Sequence, residues 1–336
     1  MKSLGVIKMY NGLDIHQSKH YIKVSCSTYI KKILKGHNWD TPNKSSPITT
    51  PLPHDKKFIT ALENDKGPED IVTQRKLATN MNFKYRQAIG ELLFAAVTCR
   101  PDILFAVIKL SQYSTRPAKI HFQAVKHVFK YLRDSANDGL HFWRSTTRDE
   151  LPDTPLPTVP NDTHSCVTPQ HDPYTAYGMV DADWGGDTSH RRSVTGLALF
   201  MAGAPIVYKS RFQTTVSLSS TESEFIAASD AGKLTLYVRG ILDSLDLPQT
   251  SATHLYEDNE AAIAMANSSK PTRRTRHVEL RHFALLDWTE TDQIALSSIA
   301  TANNAADALT KALGPQSFTR HRCTLLGKRK PAYCTF

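Results

Sequence analysis

Tyr177-Gly178-Met179-Val180-Asp181-Ala182-Asp183-Trp184 is a short apolar run that ends on two acids. Gly185-Gly186-Asp187 follows it and is a turn signal. The run therefore reads as a strand over Tyr177–Asp181, with Asp181 and Asp183 at its C-terminal end.

Working outward, Ser193–Met201 and Ile206–Gln213 read as two more strands, joined through Ala202-Gly203-Ala204-Pro205. Ser220 or Thr221 caps a helix that passes through Phe225, Ile226, Leu234 and Val238 to about Leu245. A short strand at His254–Glu257 is followed by a helix near Asn259–Ala266, a basic loop and a helix near His277–Thr289. Ile294–Ile299 reads as a fifth strand. Asn303 or Asn304 caps a last helix running through Leu313. The order β-β-β-α-β-α-α-β-α predicts an α/β fold, a mixed five-stranded sheet flanked by helices.

Acids recur at the ends of these elements. Asp181 and Asp183 close the first strand, Glu222 and Glu224 open the first helix, Asp258 follows the fourth strand and Asp307 opens the last helix. If strands one and four are neighbours, Asp181 and Asp258 lie side by side. Helix starts facing the same edge add Glu224 and Asp307. Converging carboxylates repel one another unless a cation neutralises them, and hard oxygen ligands suit Mg²⁺ or Mn²⁺. Such a site holds two ions roughly 4 Å apart, which clamp the attacking and leaving oxygens of an in-line phosphoryl displacement. Acids in a helix's first turn also simply complement its macrodipole, an alternative that stays open for Glu222 and Glu224.

The same strings resemble, in order, the RNase H domain of copia-type LTR retrotransposon Pol polyproteins. Tyr177–Trp184 is similar to its opening strand and Arg192-Ser193-Val194-Thr195-Gly196 to the start of its second. Val216–Ala227 resembles its catalytic-Glu helix and Tyr256–Ile263 its fourth-strand Asp motif. Arg276–Arg281 and Ala306-Asp307-Ala308-Leu309-Thr310-Lys311 resemble the last two blocks. Upstream, Ser3–Val6 and Tyr29–Leu34 look like the end of the reverse-transcriptase palm and the segment after it. Tyr85–Leu92 and Thr98–Ile103 resemble its thumb and connection. The chain departs from the pattern at Val180, at Phe283 and at Ala312, where the family tends to carry Ser or Thr, His, and Pro.

The resemblance implies an RNase H-like fold and metal-dependent hydrolysis of the RNA strand of an RNA–DNA hybrid, leaving a 3′-hydroxyl and a 5′-phosphate. It implies Asp181, Glu224, Asp258 and Asp307 as catalytic and metal-ligating residues for two Mg²⁺ ions, with Mn²⁺ as a substitute. Glu224 fits the motif better than Glu222 because it directly precedes Phe225-Ile226-Ala227-Ala228. Lys209, Arg211, Arg274, Arg276 and His277 are the expected substrate-binding groups, since phosphates and the 2′-hydroxyl must be read. Trp184 reads as a core residue rather than a base-stacking platform. The paired aspartates of nucleotide addition are absent, so reverse transcription is not expected from this chain alone. The expected partners are an RNA–DNA hybrid and a full-length polymerase or other proteins of the element. The alternative function is a catalytically inactive nucleic-acid-binding relic.

The rest of the chain fits a soluble intracellular protein, cytoplasmic or nuclear. Its 336 residues carry 41 Lys and Arg against 32 Asp and Glu, a formal charge of +9 that suits a polyanionic partner. The longest apolar stretch, Leu92–Cys99, is too short to span a membrane. The five cysteines show no metal-binding spacing and read as free thiols. Residues 1–36 read as two strands and a helix, a truncated palm remnant without a sheet of its own. Residues 37–144 read as thumb and connection, with 37–80 a long surface loop and 84–133 strongly helical. Phe122, Val125, Val128, Phe129 and Leu132 make an apolar stripe there. Residues 145–175 contain six prolines and read as a linker. The RNase H domain is expected over 176–328, with a tail at 329–336.

Overall fold

The structure is a computed structural model, and it describes residues 5–42, 46–159, 169, 171–186, 191–267 and 279–336. Its central element is a five-stranded sheet built from β5 (Tyr177–Asp183), β6 (Val194–Met201), β7 (Ala204–Phe212), β8 (Thr253–Glu257) and β9 (Ile294–Ser298). The order is β7-β6-β5-β8-β9. β5, β6 and β7 are mutually antiparallel, whereas β8 and β9 run parallel to β5. This is the mixed five-stranded sheet that the order of elements predicts, and the RNase H-like fold that the resemblance implies. The parallel pairs need crossovers, and helices supply them. These are α7 (Ser220–Ser244) between β7 and β8, then α8 (Glu260–Ala266) and α9 (Glu279–Glu290) between β8 and β9.

Alternation along β5 sends side chains to opposite faces. Val180 and Ala182 join Leu197 and Leu199 of β6 in a core with Phe225, Ala227, Ala228 and Ala231 of α7. Tyr177 and Met179 join Ala198 and Phe200 in a second core. The helical half of the chain closes that second face. Its helices are α1 (Ser27–Gly36), α2 (Lys56–Asn64), α3 (Ile71–Met81), α4 (Tyr85–Thr98), α5 (Leu104–Ser111) and α6 (Lys119–Asp134). The predicted α6 stripe is fully buried, as are Leu92 and Ala96 of α4 and Val107 of α5. Tyr208 of β7 donates its hydroxyl to the Ala96 carbonyl at 2.9 Å, a direct tie between the two halves.

Three stretches of the chain differ from the sequence reading. Helices α2 and α3 occupy the stretch read as a surface loop. Each starts at an aspartate whose side chain accepts from the first turn, Asp55 from the Lys57 amide and Asp70 from the Thr73 amide. Those caps were the available signal. The few apolar residues between them hid it, since α3 buries none of its residues fully. Residues Gly139–Trp143 form a strand, β4, that was not anticipated. It completes a second antiparallel sheet with β1 (Met9–Tyr10), β2 (Leu13–Gln17) and β3 (Tyr21–Ser25), in the order β1-β2-β3-β4. The N-terminal strands thus find their partner more than a hundred residues downstream, with Ile22 opposite Phe142 and Val24 opposite Leu140. Finally, Asn304 caps a 3₁₀ turn at Ala305–Leu309 rather than a helix through Leu313, and α10 (Pro315–Leu325) begins only after Gly314.

The first part of the Pro-rich stretch runs along the N-terminal sheet. The Lys19 amide donates to the Pro152 carbonyl and the Arg148 amide to the Lys19 carbonyl. Cys26, Cys99, Cys323 and Cys334 are free thiols. Among the described residues no helix is long and apolar enough to cross a membrane.

Candidate nuclease site

The acids gather at the C-terminal edge of β5 and β8. Asp181, Glu224 and Asp258 each present a carboxylate oxygen, and these three oxygens lie within 4.8 Å of one another. Asp181 is 2% exposed and Glu224 7%. The parallel pairing of β5 with β8 brings Asp181 and Asp258 to the same end of the sheet. The start of α7 supplies Glu224. Ser219 accepts from the Glu222 amide at 3.1 Å, while the Glu222 carboxylate turns back to accept from the Leu218 amide at 2.7 Å. Glu222 is therefore spent on capping, and Glu224 faces the sheet.

The fourth acid arrives from the 3₁₀ turn. Asn304 pins that turn to β5 by donating to the Val180 carbonyl at 2.7 Å and accepting from the Ala306 amide at 3.2 Å. Thr310 donates to the Asp181 carboxylate. The approach is possible because Gly196, directly across from Asp181 on β6, carries no side chain. A Cβ there would lie 2.6 Å from the Thr310 methyl and 2.9 Å from the Ala306 carbonyl. Gly196→Ala is expected to push the turn off the sheet at a cost of about 1–3 kcal/mol, read as a lowered urea midpoint. A midpoint equal to the parent's would contradict this packing.

Lys311 joins the group, which the sequence reading did not foresee. Its ammonium lies 3.0 Å from an Asp307 oxygen and 3.8 Å from an Asp181 oxygen. Burial opposes its charge, but Asp181 and then Asp307 outweigh burial and hold it protonated. Glu257 was also missed. It is completely buried, one oxygen accepts from the Asp258 and Asn259 amides, and the other has no hydrogen-bond partner among the described residues. One Glu224 oxygen is likewise buried without a partner.

The electrostatics follow from this crowding. Burial, then Glu257, Asp181 and Asp258, push the Glu224 carboxyl up to about 11. Burial and then Asp181 raise Asp307 to about 7, against the pull of Lys311. Asp183 closes β5 outside the three-oxygen cluster, and burial raises it to about 6. In an unfolded chain such carboxyls ionise near 4. The stability they contribute is complete below that pH and is lost as pH rises through about 6 and 7. The buried histidines His141 and His321, both lowered to about 4 by burial, act in the opposite sense. The informative quantity is therefore the stabilisation by Mg²⁺. It is expected to grow from about pH 5 to about pH 8, because cation binding requires ionised ligands. A Mg²⁺-induced shift of the unfolding midpoint that is absent or flat with pH would contradict it.

Of the expected substrate-binding residues, two are among the described ones. Lys209 and Arg211 lie on β7, two strands from β5, level with Val180 and Ala182. Arg211 is paired to Asp230 of α7 at 3.2 Å. Arg274, Arg276 and His277 lie outside the described residues. Trp184 is not a core residue: it is 54% exposed just beyond β5. A polar turn follows it, so its sequence neighbours offered no cover, and that was the signal to read.

The chain is 29% identical over 320 residues to the retrovirus-related Pol polyprotein of transposon TNT 1-94 from Nicotiana tabacum, which covers 95% of this chain and 21% of that one. It is 24% identical over 307 residues to the corresponding polyprotein of transposon RE1 from Arabidopsis thaliana, covering 91% of this chain and 18% of that one. Over at least nine-tenths of its length the chain is thus similar to the Pol polyproteins of copia-type plant transposons. The chain spans about a fifth of the length of those relatives. No family model matches it. The solved structure of RNase H1 from Halobacterium salinarum aligns with 40% of this chain and 94% of its own, at 16% identity and a TM-score of 0.30. The mixed five-stranded sheet with its flanking helices is RNase H-like in fold.

Proposed function

We propose that this domain is a divalent-metal-dependent RNase H that hydrolyses the RNA strand of RNA–DNA hybrids. The observation that carries the reading is the convergence of Asp181, Glu224 and Asp258 within 4.8 Å, with Asp307 beside them. Four carboxylates at one sheet edge are too repulsive to be a device for stability, and three of the four are buried. The donor set is all oxygen, and a Glu224 oxygen stands buried with no hydrogen-bond partner among the described residues. Both features fit Mg²⁺ or Mn²⁺.

Two such ions, when bound, supply the charge neutralisation and water activation that phosphodiester hydrolysis needs. The protein's own part is orientation. Thr310 fixes Asp181, the Ala182 amide holds Glu224, and Asn304 places the turn that carries Asp307. Lys311 offsets part of the negative charge at Asp181 and Asp307, which lowers the repulsion that an incoming phosphate meets.

The test is cleavage of an end-labelled RNA strand in a hybrid with Mg²⁺, against single-stranded RNA and duplex DNA. Hybrid-selective cutting to 5′-phosphate ends is the expected result. Binding of the hybrid without cutting, with Mn²⁺ also tried, would select a non-catalytic binding relic instead.

A further inference from the structure

Large apolar side chains seldom stand together in water without a purpose. Beside the carboxylates three of them do. Trp184 is 54% exposed, Val216 51% and Leu218 73%. They come from the segment just after Asp181 and the segment just before Glu224, so they flank the acids in sequence on both sides.

The loop that carries them is held rigidly. The Trp184 indole N–H donates to the Ser217 carbonyl at 3.0 Å, which fixes the ring against residues 216–218. The Ser217 hydroxyl donates to Gln213 at 2.8 Å, and the Gln213 amide donates to Thr195 at 3.0 Å and to the Ser223 carbonyl at 2.9 Å. Gln213 and Ser217 are buried, and Glu222 secures the Leu218 amide. The polar groups of Gln213 and Ser217 are thus used within the protein, while Trp184, Val216 and Leu218 are exposed.

Trp184, Val216 and Leu218 carry no formal charge, so they offer a phosphate no ion pair. Beside each phosphate of a nucleic acid lies a sugar, and A-like helices display sugars across a wide, shallow minor groove. We propose that Trp184, with Val216 and Leu218 around it, is a platform that seats the sugar faces of the strand held at Asp181, Glu224 and Asp258. The proposal rests on the nuclease reading above. Contacts of this type are independent of sequence, as a nuclease that reads shape requires.

The test is the affinity for a fluorescent RNA–DNA hybrid, measured by anisotropy with Ca²⁺ in place of Mg²⁺ and across a range of salt. Wild type is compared with Trp184→Phe, Trp184→Leu and Trp184→Ala, and unfolding midpoints are taken on the same samples. Phe is expected to retain affinity within about twofold, while Leu and Ala bind roughly tenfold more weakly, in line with the loss of one aromatic contact. The salt slope is expected to stay unchanged, because no phosphate contact is removed. If Ala binds as wild type does, the platform is wrong and the nuclease reading stands. If Phe is as weak as Ala, the indole anchor to Ser217 matters rather than the ring face, and the platform is again wrong. If wild type itself does not bind hybrid, the nuclease reading fails and the platform falls with it.

Discussion

Asp181→Asn is expected to yield a folded protein that cuts the hybrid at least about a thousandfold more slowly than wild type. Asp181 is the acid common to every part of the site. It belongs to the three-oxygen cluster, accepts from Thr310 and lies 3.8 Å from Lys311. Losing one charged ligand removes several kcal/mol of transition-state stabilisation, and about 1.4 kcal/mol is a factor of ten in rate. The fold is expected to survive because the amide has the same shape. It also relieves repulsion with Glu224, Asp258 and Asp307. The metal-free variant should therefore melt no lower than wild type. Its unfolding midpoint should also respond less to Mg²⁺. Cleavage within tenfold of wild type would exclude Asp181 from the chemistry.

Arg100→Met is expected to be the most destabilising single change, at about 3–5 kcal/mol, because it strands a buried carboxylate. Arg100 is completely buried and grips Asp102 through two bonds of 2.8 Å, while it also donates to the Ser135 carbonyl and hydroxyl. Tyr131 donates to the same carboxylate at 2.6 Å. Burial would raise the Asp102 carboxyl, but Arg100 outweighs it and holds the group down at about 2. Arg322 of α10 stands 3.7 Å from Asp102 and pairs with Asp138, which Lys328 reaches at 2.7 Å. This network ties α10, the last element of the RNase H-like half, to the start of α5 and the end of α6. Its loss should loosen the packing of the two halves as well as the local turn. Urea unfolding reads the effect, and the double change Arg100→Met with Asp102→Leu should recover much of it. A loss below about 1 kcal/mol would show that Arg322 alone sustains Asp102.

The contrast between the halves explains what was legible in the sequence. In the RNase H-like half, acids sit at strand ends and helix starts, so Asp181, Glu224 and Asp258 could be picked from pattern and motif together. The resemblance favoured Glu224 over Glu222 by its place before Phe225, and the fold adds that the Glu222 carboxylate is bonded to the Leu218 amide. Asp307 was expected as a fourth metal ligand at the start of a helix; it stands beside the cluster, on a different element. The Asn304 cap is real, and it caps a 3₁₀ turn. Lys311 and Glu257 were missed for opposite reasons. Lys311 reaches back one helical turn to Asp307, a spacing that usually marks a surface pair. Glu257 precedes the prominent Asp258 and is hidden by it.

In the helical half, the α6 stripe was plain because its apolar period is strong. β4 was not, since a five-residue strand whose partner β3 lies far upstream leaves little local trace. The pairing of Lys109 with Glu63 at 2.5 Å, buried between α5 and α2, is equally non-local. No periodicity argument finds such a contact, because neither residue carries a signal of the other.

The most direct measurement is the anomalous scattering of crystals grown with Mn²⁺. The account requires a peak among the carboxylates of Asp181, Glu224 and Asp258, lost or displaced in Asp258→Asn crystals. No peak there at saturating Mn²⁺, with Lys311 still bridging Asp181 and Asp307, would contradict the assignment of this edge as a metal-dependent nuclease site.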